Sequence, residues 1–405
     1  MKVYVAIPLL REFENINTLL EHIFKQDFKN FHVVFCVNNP AEWYDFVPSS
    51  KGMASQVNLE SFQIKEEENS YQNSYEKDLK DNLKTLDYLR SLNNPLITII
   101  DKSTRNNAFP LKKSGVGYAR KVIMDKIASI ADDNDIIISL DGDTIFSPQY
   151  FSSVLYQFEN NKDAHAIAVP YYHRLEGTEE QKKAALRYEI YMRHYLIEML
   201  KINNPYAFTA LGAAIAVKVG SYKKSWWYNS IFVRRRFLSV AKNKETWEIL
   251  LWCDEHVYPK ARLSDRVGFG TGPAIDKGMG GDWDSYPIYK TEYFENVKKT
   301  FDLFPTLFEK DVDTPLTPFL MKQFNTDDVW SPLRKNYKQI NQFVRACETK
   351  IDGLRILQYL KSSCDDFNYF PYHKENLYSV RDYLYQKENN LRIKFDVNFH
   401  SVFKW

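Results

Sequence analysis

The sequence is poor in cysteine and has almost no excess of charge. Four cysteines are scattered along 405 residues and none of them forms a CxxC pair, so neither a zinc site nor a disulfide framework is indicated. The 54 basic and 52 acidic residues leave a formal net charge of +2, which creates no long-range field for recruiting nucleic acid. No nucleic-acid partner is therefore expected.

Long apolar runs are also missing. No window approaches the roughly 18 apolar residues that a membrane span requires, and the opening run MKVYVAIPLL is too short for the core of a signal peptide. We expect a protein without a transmembrane segment, in the cytoplasm with its thiols reduced. Peripheral contact with the inner face of the plasma membrane is compatible with this expectation.

Two hydrophobic periods alternate along the first part of the chain. The predicted strands are KVYVAI, FHVVFCV, PLITII, DIIISL, AHAIAVP and GAAIAVKV, and the predicted helices cover residues 15–26, 74–92, 117–130 and 179–202. This alternation predicts an α/β fold with a mostly parallel sheet flanked by helices, whose functional loops lie at the carboxyl ends of the strands. The polar segment 41–70 is predicted to be an insertion loop.

The pattern changes in the last hundred or so residues, where apolar residues recur at three- and four-residue spacing. Tyr337 to Leu357 show this spacing most clearly, and it predicts helices. The chain is therefore expected to consist of an α/β domain, residues 1–295, and a C-terminal helical extension, residues 296–405.

A pair of carboxylates follows the predicted strand DIIISL. Asp141 and Asp143 are separated by Gly142, which is expected to leave room for a ligand to approach the backbone. Hard oxygen ligands of this kind hold Mg²⁺ or Mn²⁺, and such a cation can neutralise a diphosphate. An Asp-Gly turn with solvated carboxylates is the alternative interpretation of the same tripeptide.

Glycines and basic residues precede that strand. In KKSGVGYARK, Gly115 and Gly117 stand at the entry to a predicted helix, close to Lys113 and Arg120. Glycine lets the backbone approach a phosphate or a sugar, and a basic pair can hold a nucleotide diphosphate. Helix capping with surface charges is the alternative explanation.

The order of these motifs resembles that of a bacterial branch of the family 2 glycosyltransferases, which have the GT-A fold. The resemblance rests on a strand followed by Pro8 and Glu12, on Asn38-Asn39, on Asp101, on GVGYARK and LDGDT, and on YPKARLSDRVGFGTGPAI further along. It implies a metal-dependent, inverting glycosyltransferase that moves a sugar from a nucleotide-diphosphate donor to a glycan or lipid-linked acceptor. The implied cofactor is Mn²⁺ or Mg²⁺.

The resemblance also implies roles for individual residues. Asp141 and Asp143 would form the metal-binding DxD pair of the family, with Asp143 as the direct metal ligand. The nucleotide-sugar pocket would be lined by Pro8, Glu12, Asn38, Asp101, Lys113, Gly117, Arg120 and Asp141. The family more often has aspartate where Asn38 stands, which leaves the identity of the base open.

The family's usual catalytic base is absent from the sequence. It is the aspartate of a Gly-Glu-Asp triplet, expected after GAAIAVKV and a turn following Lys224, where SWWYNSIFVRRRFLS stands instead. Residues 225–239 can be a divergent surface loop, a basic patch for an anionic partner, or the product of a shifted reading frame. We prefer the last hypothesis, because TGG-TGG read one nucleotide later encodes Gly-Gly and permitted arginine codons then encode Gly-Glu-Asp.

No catalytic residue is therefore assigned from the sequence. Asp254, in WCDEHVYP, is the nearby candidate, although it is expected to enter a strand rather than to open a helix. If the base is lost, the chain would bind a nucleotide sugar without transferring it. A haloacid-dehalogenase-type phosphohydrolase with Asp141 as nucleophile is a further alternative, but Phe146 stands where that chemistry needs a hydroxyl group. His173, in PYYHRL, is either a metal or acceptor ligand or a packed core residue.

Overall fold

The computed structural model describes most of the chain. The described residues are 1–45, 62–209, 213–226, 248–263, 270–365, 370–372 and 375–402. The chain falls into two compact units, the first made of residues 1–171, 212–234 and 253–259, the second of residues 172–211, 235–252 and 260–405. The domain boundary predicted between residues 295 and 296 stays a prediction, because compactness alone defines these units.

A mostly parallel sheet forms the centre of the first unit. The strands of the described residues are, in chain order, β1 (Val3–Leu9), β2 (Phe31–Asn38), β3 (Ile97–Lys102), β4 (Ile136–Leu140), β5 (Ile145–Phe146), β6 (Ala164–Ala168), β7 (Arg174–Leu175), β8 (Ala214–Lys218), β9 (Glu248–Leu250), β10 (Val257–Tyr258) and β11 (Lys260–Ala261). In the first unit the sheet order is β3-β2-β1-β4-β8-β6. Strands β1 to β4 are parallel to one another, whereas β8 runs antiparallel to β4 and β6.

Helices surround this sheet and make up most of the second unit. They are α1 (Ile16–Phe24), α2 (Phe62–Ser91), α3 (Val116–Ala128), α4 (Tyr150–Asn160), α5 (Glu179–Lys201), α6 (Val219–Trp226), α7 (Thr271–Met279), α8 (Thr291–Asp302), α9 (Phe304–Glu309), α10 (Thr317–Phe324), α11 (Ser331–Asn336), α12 (Ile340–Lys350), α13 (Gly353–Ser362) and α14 (Leu377–Val402). Every residue of β1 and β4 is buried, as expected for parallel strands covered on both faces. The predicted α/β class and the helical C-terminal part are confirmed.

One local prediction was wrong. Residues 62–70 belong to α2 rather than to an insertion loop, and residues 41–45 form a 3₁₀ turn. Residues 225 and 226, where the turn of the family would begin, are the last residues of α6, and the rest of that segment lies outside the described residues. The Tyr222 hydroxyl of α6 donates to Asp125 Oδ1 on α3 at 2.6 Å and Lys223 Nζ donates to Asp133 at 2.8 Å, so these contacts hold α6 in place.

The second unit is organised around α5. This helix begins with a capping box in which Thr178 and Gln181 satisfy each other's backbone N–H groups, and it packs on α7 and α14. The described part of the chain contains no helix that is both long and apolar enough to cross a membrane.

Candidate active site

Polar side chains gather at the carboxyl edge of the parallel strands. The pairing of β1 with β2 and β4, and of β2 with β3, aligns the ends of these four strands. Pro8 and Asp101 are the last residue but one of β1 and β3, Asn38 is the last residue of β2, and Asp141 directly follows β4. Four residues predicted to line a nucleotide pocket therefore lie at one edge, where ligands bind in open α/β sheets.

Asp141 forms an ion pair with Arg120, which α3 places beside the carboxylate pair. One guanidinium nitrogen of Arg120, Nη2, donates to Asp141 Oδ1. The side chain of Arg120 is 16% exposed and that of Asp141 is 37% exposed, so the pair lies at the surface of the edge with its arginine largely covered. Arg120 Nε is buried and has no hydrogen-bond partner among the described residues.

The structure gives a different reason for glycine at position 142 from the one that the sequence predicts. It is buried, and a Cβ atom at this position would lie 2.8 Å from Leu9 Cδ2 and 3.0 Å from Glu12 Cγ. The space is therefore filled by the loop between β1 and α1. Glycine is needed for packing between the two segments, and not to give a ligand access to that side of the backbone.

Glu12 and Asn38 are buried in a polar network beneath the edge. Glu12 is 5% exposed and accepts a hydrogen bond from Asn15 Nδ2 at 2.7 Å. Asn38, 2% exposed, donates from Nδ2 to the carbonyl of Leu9 at 2.9 Å. Asn82 of α2 donates to the Asn38 carbonyl at 3.2 Å. The amide of Asn38 thus joins the ends of β1 and β2, and reading a nucleobase edge stays a prediction for this residue.

Asp101 stabilises the turn that follows β3. Its carboxylate accepts hydrogen bonds from the backbone N–H groups of Ser103 and Thr104, both at 3.0 Å, and from Arg90 Nη2 at 3.2 Å. Burial alone would raise the pKa of Asp101, but the hydrogen bonds from Ser103, Thr104 and Asn107 outweigh it and lower the pKa. The carboxylate is therefore ionised and already has several donors, and nucleotide contact stays a prediction.

The glycine-containing segment forms the entry to α3. Gly115 precedes the helix with φ of +103°, a conformation that favours glycine. Gly117 lies in the first helical turn, where backbone N–H groups have no helical partner and can face an anion. Lys113, two residues before Gly115, is the last residue of an exposed 3₁₀ turn. The structure thus brings Gly117, Lys113 and Arg120 to one helix end.

The carboxylate pair fits a hard divalent cation that is completed by its substrate. Within the described ranges, no group of three or more His, Cys, Asp or Glu side chains is arranged to hold a metal ion. Mg²⁺ is often bound by only one or two carboxylates, because phosphate oxygens and waters supply the other ligands. Asp141 is already paired with Arg120, and direct coordination by Asp143 stays a prediction.

Asp254 lies away from the carboxylate pair. It precedes β10, as predicted, and β10 pairs antiparallel with β5 so that Val257 faces Phe146 and Tyr258 faces Ile145. Beyond Tyr258 this register leads towards Asp143, whereas Asp254 precedes the other end of β10. The neighbouring Glu255 N–H donates to Ser153 of α4 at 3.1 Å. Asp254 is thus a poor candidate for the base, and most of segment 225–239 lies outside the described residues.

A second polar cluster, which the sequence did not reveal, lies in the second unit. His173 is 9% exposed, its Nδ1 pairs with Glu189, and its Nε2 lies 2.9 Å from Thr271 Oγ1. Both ring nitrogens are engaged, which supports the packed interpretation. Glu189 also accepts from Tyr385 of α14 at 2.8 Å. No periodicity signals these contacts, because they join residues far apart in the chain.

Several solved structures are similar to the chain at low sequence identity. One is S. aureus TarS 1–349 in complex with UDP-GlcNAc, with 13% identity, a TM-score of 0.38, and coverage of 99% of this chain and 92% of that chain. Another is the mannosyltransferase PcManGT from Pyrobaculum calidifontis in complex with GDP-Man and Mn²⁺, with 11% identity, a TM-score of 0.35, and coverage of 98% and 87%.

The similarity to these structures is too low to bear on the function of this chain. No family model matches the sequence, and no curated protein matches it. The function must therefore be argued from the chain's own residues.

Proposed function

We propose that the first unit binds a nucleotide-diphosphate sugar together with Mn²⁺ or Mg²⁺ and transfers the sugar, with inversion, to a glycan or lipid-linked acceptor. The observation that carries this proposal is the position of Asp141 and Asp143 directly after β4, with Arg120 bound to Asp141. Carboxylates and a guanidinium at one edge provide the two kinds of group that a metal-bound diphosphate requires.

Each residue at the edge has a separate task in this proposal. The cation, when bound, would stabilise the negative charge that develops on the leaving diphosphate. Asp143 would hold it, while Arg120 would orient Asp141 and present its remaining N–H groups to phosphate oxygens. The helix end at Gly117 and the side chain of Lys113 would add further positive potential. Pro8, Asn38 and Asp101 would shape the part of the pocket that receives the nucleoside.

A metal-dependent binding experiment tests the donor site directly. Melting temperatures of the full chain are measured with UDP, GDP, ADP and CDP, each with and without Mn²⁺, because a ligand that binds the folded state stabilises it. We expect one or two nucleotides to raise the melting temperature only when Mn²⁺ is present. Asp143→Asn should abolish this increase, whereas Asp163→Asn, at an exposed position, should retain it. No increase with any nucleotide in the unaltered chain would refute the proposal.

Binding without transfer is the second candidate function, since no Gly-Glu-Asp triplet is present in the sequence. Nucleotide release from UDP- and GDP-sugars separates the two candidates, because a chain without its base should bind the donor but lose about 10²- to 10⁴-fold in rate. Resequencing the gene across codons 220–240 tests the frame-shift hypothesis. An uninterrupted frame whose shifted reading lacks a Gly-Glu-Asp string would refute it.

A further inference from the structure

Arg187 is a buried cation in the middle of α5. The residue is 7% exposed and lies between two apolar clusters of the second unit. Leu186 and Ile190 belong to one cluster, and Ala184 and Ala185 to the other. Burial lowers the pKa of Arg187 to about 10, so the guanidinium stays charged at neutral pH. Arginine is seldom buried to this extent unless it is paired.

Among the described residues, no carboxylate pairs with this charge. Within the described part of the chain, Arg187 takes part in no ion pair, and its Nη1 atom is buried without a hydrogen-bond partner. Arg193, two turns further along the same helix, shows the contrast: it is 0% exposed and donates to both carboxylate oxygens of Glu388 at 2.9 Å. Since a buried charge without a partner destabilises the fold, folding does not explain why arginine stands at position 187.

Two aromatic rings hold the guanidinium in place. Its Cζ atom lies 4.0 Å from the ring centroid of Phe370 and 5.1 Å from that of Trp283. The indole packs so closely on α7 that a Cβ atom at Gly278 would lie 2.3 Å from it. Ring faces attract a cation but accept no hydrogen bond along the planar edge of the guanidinium. The arginine is thus oriented while its Nη1 atom lacks an acceptor among the described residues.

We propose that Arg187, held by Trp283 and Phe370, is the centre of an oxyanion-binding site in the second unit. Its ligand is a phosphate or carboxylate group, because the planar guanidinium edge matches the two oxygens of either group. All three residues belong to the second unit, so this site does not depend on the donor site proposed for the first unit.

Anion-dependent melting tests the proposal. The full chain is melted in sodium chloride, sodium phosphate and sodium acetate at equal ionic strength, without divalent cations. We expect phosphate, acetate or both to raise the melting temperature above the chloride value, and the pattern tells which group the site accepts. Arg187→Met should weaken the apparent affinity for that anion at least tenfold, on the order expected for losing a charge-assisted hydrogen-bond pair.

Three further variants make the result specific. Arg187→Gln is a second neutral variant in case methionine prevents folding. Arg355→Met removes another arginine stacked on a ring, 5.0 Å from Phe324, and should leave the anion response unchanged. Arg120→Met removes the arginine of the donor site and should also retain the response.

Either of two results would overturn the oxyanion site. One is that no anion stabilises the unaltered chain more than chloride does. The other is that the Arg187 variants keep the full response. If Arg120→Met alone loses the response, the anion binds in the first unit, which overturns this proposal and leaves the donor-site proposal intact.

Discussion

Replacing Glu388 with glutamine should strongly destabilise the second unit. The Glu388 carboxylate on α14 accepts two hydrogen bonds from Arg193 Nη1, both at 2.9 Å, and one from Arg392 Nε at 2.8 Å. The three side chains are 0–2% exposed. Because water cannot replace the lost charge, the substitution removes the carboxylate that two buried guanidinium groups share, while Glu189 stays paired with Arg193.

The expected loss in the free energy of unfolding is about 3–5 kcal/mol, the range found when one partner of a buried ion pair is removed. Domains are stable by only about 5–15 kcal/mol, so the urea midpoint should fall by about 1 M or more. Urea unfolding followed by circular dichroism measures this shift. The matched control is Asp382→Asn on the same helix, whose side chain is 58% exposed in its pair with Arg381 and which should cost less than about 1 kcal/mol.

A double variant tests the physical reason. Arg392→Met removes one of the two arginines that share the Glu388 carboxylate, so the double variant should be more stable than the sum of the two single losses predicts. Equal urea midpoints for Glu388→Gln and Asp382→Asn would refute the reasoning. Strict additivity in the double variant would show that charge balance is not the cause.

Two further predictions concern pH and packing. Burial would raise the pKa of Glu189, but the charges of Arg193 and His173 outweigh it and lower the pKa from 4.5 to about 2. The stability that this ionised carboxylate contributes is present above pH 4.5 and is lost as the pH falls towards 2. Urea midpoints between pH 6 and pH 2.5 should show this loss, and Glu189→Gln should flatten it. Gly142→Ala should lower the free energy of unfolding by about 1–3 kcal/mol through overpacking. Gly280→Ala should be nearly neutral, because the nearest atom to its Cβ would be the Lys277 carbonyl oxygen at 3.4 Å. Equal unfolding midpoints for the two variants would contradict this prediction.

The arrangement of the first unit could be predicted because each strand can be recognised from its own residues. Runs such as FHVVFCV and DIIISL are mostly apolar, which indicates strands covered on both faces. Parallel strands then bring the residues after them to one edge, so the neighbourhood of Asn38, Asp101 and Asp141 followed from chain order. The roles of these residues did not follow. The hydrogen bonds from Ser103 and Thr104 to Asp101 depend on the conformation of a turn that has no apolar period.

The second unit shows where periodicity fails. The apolar residues Leu186, Ile190, Ile197 and Leu200 of α5 indicate a helix with one buried face, yet Arg187, Glu189 and Arg193 are buried as well. Glu189 and Arg193 contact α14, which lies almost two hundred residues further along the chain and supplies Tyr385 and Glu388. Arg187 lies instead against Trp283 and Phe370. A sequence pattern records which residues share a face of one helix, but not which distant charges meet that face.

The LDGDT motif places two carboxylates two residues apart, and the structure shows how the first of them is held. Asp141 directly follows β4 and is bound by Arg120, so a cation coordinated by Asp141 Oδ1 would compete with the guanidinium for that oxygen atom. Gly142 is held against Leu9 and Glu12, which restricts how far the backbone between the carboxylates can adjust. In the donor site that we propose, Asp143 would hold the metal ion and Arg120 would contact the diphosphate. Asp143→Asn should therefore abolish nucleotide binding, whereas Arg120→Met should weaken binding but leave its dependence on Mn²⁺.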